Sequence, residues 1–223
     1  MINVAIDGPS GAGKSSVARL AAKELGFVYI DTGALYRSVG VAALKKGYDT
    51  TDREKVVSML PEIRLELGFI DGIQHVYLNG DDVSEDIRRP EASMAASNVS
   101  ALPEVRAFLL DLQKNMAKTH DCILDGRDIG TVVLPDAQVK IFLTASAEER
   151  ANRRYKELKE KGHEVDYDAL LEEIKLRDYN DSHRAAAPLR QAEDAVLLDS
   201  SDIDLPQTVE KTIQIIREKV GNL

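Results

Sequence analysis

The sequence has no tryptophan, aromatics amount to 5%, and there is one cysteine in 223 residues. Positive charge is short as well: 29 Lys and Arg face 38 Asp and Glu, a net charge of −9. Proteins that track nucleic-acid strands stack bases on aromatics along a basic face. This chain has neither, which argues against nonspecific binding to nucleic-acid polymers or to anionic membrane surfaces. The lone cysteine, Cys122, excludes an intrachain disulfide and fits a reducing compartment. It lies in an apolar run and reads as a core thiol. No apolar run reaches membrane-spanning length. Asp7 and a glycine-rich stretch interrupt the first one, so no secretory leader is expected and the cytoplasm is the expected location. The Asn-Lys-x-Asp motif of guanine readers and the Leu-Ser-Gly-Gly-Gln type of signature of transport ATPases are also missing. Internal repeats and low-complexity tracts are lacking too.

What is present centres on Gly8-Pro9-Ser10-Gly11-Ala12-Gly13-Lys14-Ser15, which fits G-x-x-x-x-G-K-[ST] at every fixed position. Ile2 to Ile6 before it is a short apolar run suited to a buried strand. Ser15 to Leu25 after it places Val17, Leu20, Ala21 and Leu25 at helical spacing, and Gly26 is the stop. Strand, turn and helix are the context this motif needs. Gly11 and Gly13 allow backbone conformations that turn several N–H groups toward one anion. The helix start adds its positive dipole end. Lys14 can reach the outer phosphates of a nucleotide, and the Ser15 hydroxyl can ligate Mg2+.

Further along, core strands alternate with helices, which predicts a parallel three-layer α/β sheet. Strands are expected at Phe27–Ile30, Cys122–Leu124, Val139–Leu143 and Ala195–Leu198. Charged and polar residues follow two of them: Asp31-Thr32 with Arg37 after the first, and Asp125-Gly126-Arg127-Asp128 after the second. Residues just past a parallel strand lie where α/β sheets bind ligands. Between 62 and 84 the pattern changes to period-two alternation, with turn signals at Asp71-Gly72 and Asn79-Gly80, predicting a small antiparallel insert. His75 there reads as a surface or half-buried strand residue. Helices are expected from Asp52 to Met59, Pro90 to Ser100 (carrying Ser97), Pro103 to Lys118, Tyr167 to Asp181 and Leu205 to Val220. Arg106 falls on the first turn of its helix, where a cation works against the dipole. Ser146 with Glu149 reads as a capping box opening another helix. That helix bears Arg150, Arg153 and Arg154, which share one face. Arg177, Asp181 and Arg184 recur at four and three residues, one polar face if their helix persists that far.

Arginines at separated loop and helix positions suit phosphoryl transfer between two nucleotides, whose charges repel and whose transition state spreads charge over equatorial oxygens. Four motifs then carry a resemblance: Ile6 to Ser15, Asp31-Thr32-Gly33-Ala34-Leu35-Tyr36-Arg37, Asp125-Gly126-Arg127-Asp128-Ile129-Gly130-Thr131-Val132-Val133, and Arg177-Asp178 with Ala187-Pro188-Leu189. Together they resemble the bacterial cytidylate kinase branch of the nucleoside monophosphate kinases, over nearly the whole chain and in the same order. The resemblance implies a P-loop kinase fold with a small antiparallel β insert and a helical lid. Its core would comprise 1–36, 101–148 and 164–223, its monophosphate-binding lobe 37–100 and its lid 149–163. It implies that Gly8, Pro9, Ser10, Gly11, Ala12, Gly13, Lys14, Ser15 and Ser16 hold ATP, with Lys14 the main charge and Ser15 the Mg2+ ligand. Arg37 and Arg127 would hold the CMP phosphate. Thr32, Arg106, Asp128 and Arg184 would face cytosine, and Ser97, Arg177 and Asp181 the sugar. Catalytic charge would come from Lys14, Arg127 and the lid arginines Arg150, Arg153 and Arg154, with no one of these three singled out. Relatives often carry Ser where Thr32 stands; the hydroxyl is kept and its rotamers are restricted. Asp125 could hold a metal-bound water. The expected partners are MgATP and CMP or dCMP, with no nucleic-acid polymer and no membrane, and the expected state is a monomer. A kinase for UMP or AMP, or an ATP-dependent switch, are the alternatives.

Overall fold

The structure, a computed structural model, describes residues 1–70 and 73–221. In chain order the elements are β1 (Asn3–Asp7), α1 (Lys14–Leu25), β2 (Val28–Asp31), α2 (Thr32–Lys45), α3 (Arg53–Met59), β3 (Leu65–Ile70), β4 (Ile73–Leu78), β5 (Asp81–Asp82), α4 (Pro90–Ser100), α5 (Pro103–Thr119), β6 (Cys122–Gly126), β7 (Val139–Thr144), α6 (Ala147–Glu160), α7 (Tyr167–His183), β8 (Val196–Asp199) and α8 (Leu205–Val220). A single π-helical turn, Ile129–Val133, follows β6. The chain divides into two compact units, 1–29 with 121–223, and 30–120.

The first unit is built on a sheet of order β2-β6-β1-β7-β8. The β1–β6, β1–β7 and β7–β8 pairs are all parallel. Four of the five β1 residues are buried, as a central strand covered on both faces requires. Helices α1 and α8 pack on each other. Their apolar faces (Val17, Ala18 and Ala21; Val209, Ile213 and Ile216) join Val4, Ile6, Ile123, Ile141 and Leu143 in one core. Gly26, in the left-handed region, caps α1 through its N–H to the Ala22 carbonyl. Asp204 and Gln207 form a reciprocal capping box at the head of α8. The box expected at Ser146 is only half made. Ser146 Oγ accepts the Glu149 N–H, but the Ser146 N–H is given to Ser201 Oγ at 3.0 Å, and Glu149 turns its carboxylate to Arg153. Cys122 is fully buried and donates to Asn3 Oδ1; burial pushes its thiol up to about 12.

The second unit carries its own core, with Leu35, Val39, Val56, Met59, Val99 and Leu109 among its buried side chains. Its three-stranded sheet, order β3-β4-β5, is antiparallel in both pairings. It lies within the stretch where period two replaced helical spacing. Of the turn signals expected there, Asp71-Gly72 lies outside the described residues. Asn79-Gly80 forms its turn with both residues at positive φ. Asp31 caps α2 by accepting from the Ala34 N–H, and Asp52 caps α3 from the Lys55 N–H. Prolines at the first turn open α4 and α5.

Candidate active site

The glycine-rich loop joins β1 to α1 at the carboxyl end of the sheet's middle strand. Gly8 has φ +150°, and a Cβ there would lie 1.9 Å from the Leu143 carbonyl oxygen, so β7 passes too close for any side chain. Gly11 and Gly13 sit at +75° and +88°, and Gly13 is the cap position of α1. Lys14 is buried, and its ammonium donates to the Pro9 carbonyl at 2.8 Å. Burial and then the Arg127 charge push its pKa down to about 7, against the pull of Asp125, Asp7 and Asp181. The Ser15 hydroxyl donates to Asp125 Oδ2 at 2.8 Å, and the Tyr29 hydroxyl donates to Asp125 Oδ1 at 2.9 Å. Asp125 ends the buried stretch of β6, so its position follows from the ladder with Ile6.

Past β6 the same unit gathers a buried cluster of charge. Arg127 Nε donates to Asp181 Oδ2 at 2.8 Å. Arg184 lies 3.5 Å from Asp128 Oδ1 and 4.0 Å from Asp181 Oδ1, with its Nε on the Ala187 carbonyl. Burial works to raise the Asp181 pKa, but Arg127, Arg177 and Arg184 overcome it, and the carboxyl is held below its usual range. Three guanidiniums thus face two carboxylates. The polar face expected along α7 is real for Arg177 and Asp181. Arg184 is not helical: it is the extended residue at which α7 stops. Its guanidinium still reaches the cluster because the chain turns back there and Ala187 takes a positive φ of 47°.

Arg150, Arg153 and Arg154 all lie on α6, as their spacing predicts, but each has different partners. Arg150 is buried: its guanidinium pairs with both Asp178 oxygens at 3.0 and 2.5 Å, and Nη1 also donates to the Ser10 carbonyl at 2.9 Å. Arg153 is taken up by Glu149 and by the Ser200 carbonyl, and Arg154 by Glu157 on its own exposed helix. Asp178, which follows Arg177 directly in its motif, is a functional carboxylate that the sequence signals only by that position.

In the second unit Thr32 is buried at the head of α2. Arg37, one turn on, donates to the capping carboxylate Asp31 at 2.6 Å. The Arg106 guanidinium lies 5.4 Å from the centre of the Tyr36 ring and donates to the Ser100 carbonyl. Ser97 is half-buried on α4. His75, read as an isolated strand residue, has partners that its sequence neighbours did not reveal: Nδ1 is 2.8 Å from Asp82 and 3.4 Å from the Ser84 hydroxyl. They come together because β4 pairs with β5, which sequence spacing cannot show.

A parallel sheet with a phosphate-binding loop after its middle strand defines the P-loop class of phosphate-handling α/β proteins. Within that class the chain belongs to the cytidylate kinase family, whose sequence model matches residues 4–218. It is 52% identical over 221 residues to the cytidylate kinase of Caldicellulosiruptor bescii, covering 99% of this chain and 98% of that one. The cytidylate kinase of Lactobacillus johnsonii is 46% identical over 222 residues, covering 100% and 96%. Among solved structures, an uncharacterized protein from Eubacterium ventriosum aligns with a TM-score of 0.54 at 13% identity over 97% of this chain and 98% of that one, a likeness of fold alone. Family membership makes the chain an enzyme, a phosphotransferase.

Proposed function

We propose that the enzyme moves the γ-phosphoryl group of MgATP to CMP and dCMP, giving CDP and dCDP for pyrimidine nucleotide metabolism. One observation carries this reading: Lys14 and Arg127 lie close enough that Arg127 helps depress the Lys14 pKa, and Arg177 and Arg184 stand beside Arg127 around Asp181. The loop lysine and these guanidiniums thus lie together, among the carboxylates of Asp125, Asp128 and Asp181. A phosphate arriving at the loop adds negative charge beside Lys14 and raises its pKa again.

In this reading residues 8–16 cradle ATP and Lys14 stabilises charge on the transferred group. Arg37 and Arg127 hold the acceptor phosphate, and Arg127 also faces the developing charge. Thr32, Arg106, Asp128 and Arg184 meet cytosine; Ser97, Arg177 and Asp181 meet the sugar. Residues 37–100 form the acceptor lobe and 149–163 the lid. Arg150 is assigned the phosphate side of the lid, because its guanidinium is the one on a phosphate-loop carbonyl. The acceptor is already an anion, so no base is required; alignment and charge stabilisation suffice. The Ser15 hydroxyl and the buried Asp125 carboxylate are a hard oxygen pair that fits Mg2+, Ser15 as ligand and Asp125 through a bound water. A metal held there would supply positive charge to offset that of the nucleotide phosphates. We read the chain further as a cytoplasmic monomer, in keeping with its single buried thiol.

A coupled assay with MgATP over CMP, dCMP, UMP and AMP tests the proposal. CMP and dCMP should be the best acceptors. Preference for UMP or AMP would move the assignment to another monophosphate, and slow ATP hydrolysis indifferent to any acceptor would point to a switch instead.

A further inference from the structure

We propose that Asp7 is a positioning residue for the acceptor side of the site, holding Arg127 and Asp128 in place through the backbone that follows them. Asp7 closes β1, and its Cα is the ladder partner of Gly126 at the end of β6. Its carboxylate accepts the Ile129 N–H at 2.8 Å on Oδ1 and the Gly130 N–H at 2.7 Å on Oδ2. Arg127 and Asp128 are therefore a two-residue span between two attachments to a single residue. With both ends fixed, their backbone has little freedom, and so their side chains leave from fixed points.

The chemistry requires a carboxylate. Two N–H groups from the start of the π-helical turn face residue 7, and an ionised carboxylate offers an acceptor on each oxygen. An amide would offer one acceptor and turn a second donor toward a donor. The fit is close: a Cβ on Gly130 would lie 3.1 Å from Lys140 Cδ and 3.4 Å from Asp7 Oδ2. The group stands nearly out of solvent, and burial, aided by Asp128, pushes its pKa up to about 6 against the two amides and Lys14. A residue needed only to fill this space would carry no charge.

The inference rests on the reading of Arg127 and Asp128 as CMP contacts, so its test has one readout that does not depend on that reading. In Asp7→Asn, amide exchange at Ile129 and Gly130 should speed up about tenfold or more in the ligand-free protein. Calorimetric CMP affinity should fall about tenfold, the scale of one lost charge-assisted hydrogen bond, while MgADP affinity stays within twofold. Unchanged exchange overturns the anchor itself. Faster exchange with CMP and MgADP weakened equally, or with neither weakened, makes Asp7 a scaffold residue and overturns the positioning role. A wild-type protein that binds UMP or AMP in place of CMP overturns the cytidylate reading alone, and the Asp7 comparison is then made with that nucleotide. Should Asp7→Asn not fold, Gly130→Ala, whose Cβ would press on Lys140 Cδ and on Asp7 Oδ2 and so disturb the same pair of hydrogen bonds, is measured against the same outcomes.

Discussion

Three side chains in the first unit combine burial with charge in ways that fix their expected behaviour. Lys14 costs folding free energy in the ligand-free protein, since burial depresses its pKa to about 7. Lys14→Met should therefore leave the melting temperature unchanged or higher, while turnover falls by roughly three orders of magnitude as phosphoryl-charge stabilisation is lost. Near-normal turnover in the folded variant would remove Lys14 from the chemistry. Asp128 faces the Arg184 guanidinium across an ion pair of 3.5 Å, with both side chains almost wholly buried. As a cytosine contact it should accept from the exocyclic amine, where uracil presents a carbonyl. Asp128→Ala should then cut catalytic efficiency for CMP about tenfold or more beyond the cut for UMP. Equal losses would leave the pair with Arg184 as its whole role. Asp7 sets a pH dependence. Its folded pKa of about 6 lies above the ordinary 3.8, so between those values the folded state binds the proton more tightly than the unfolded one. Stability from this group is therefore greatest below about pH 4 and declines as pH rises through 6. Asp128 and Lys14 are the charged groups acting on it. Denaturant titrations of wild type and Asp7→Asn should show the wild-type advantage shrinking by roughly 3 kcal/mol from pH 4 to 7; a flat difference would return Asp7 to an ordinary carboxylate.

At the scale of the element, α6 divides into two halves. Its first turns are tied down by Ala151 in the core, by Arg150 on Asp178 and Ser10, and by Arg153 on Ser200. Beyond Arg154 it is mostly charged and paired within itself through Glu157 to Arg154 and Lys161, with Tyr155 edge-on to Tyr167 of α7 as its tie to another element. Exposed ion pairs of this kind add little, so the outer half is held chiefly by the Tyr155–Tyr167 contact and less firmly than the first turns. Hydrogen exchange should be fast at 155–162 and slower at 148–153 without ligand, and the outer half should slow when ATP and CMP analogues are added together. Uniform protection along α6 in the free protein would rule out a moving lid there. Sequence spacing put the three arginines on one face. Their partners separate them, because Asp178, Glu149 with Ser200, and Glu157 come from different places in the chain.

At the scale of the molecule, each of the two units holds a core of its own. The candidate residues divide between them. Thr32, Arg37, Ser97 and Arg106 fall in 30–120, and the phosphate loop, Arg127, Asp128, Arg150, Arg177, Asp181 and Arg184 in the other unit. Ligands bound by the folded chain alone stabilise it by mass action, about 2.7 kcal/mol at a hundredfold excess over Kd. CMP and a non-hydrolysable MgATP analogue together should raise the melting temperature beyond either alone. CMP without effect at millimolar concentration, where MgATP is effective, would detach the acceptor assignment from this chain.

The sequence determined the parts that short-range chemistry controls. A phosphate loop needs glycines at fixed spacing, so residues 8–15 were legible as they stand. Helix ends were legible where a cap lies within three residues, as at Asp52 and Gly26, and the antiparallel insert showed in a change of period. Tertiary structure decided what depends on distant partners. Asp7 reaches Ile129 and Gly130 across more than a hundred residues, because β1 and β6 are neighbours in the sheet. Arg150 meets Asp178 because α6 packs on α7, and Ser146 gives up its box to Ser201 because β8 brings that loop alongside. A local pattern records which groups a residue could satisfy. Which of them it does satisfy is set by the fold, since a buried donor or acceptor takes whichever partner the packed sheet and helices bring within about 3 Å.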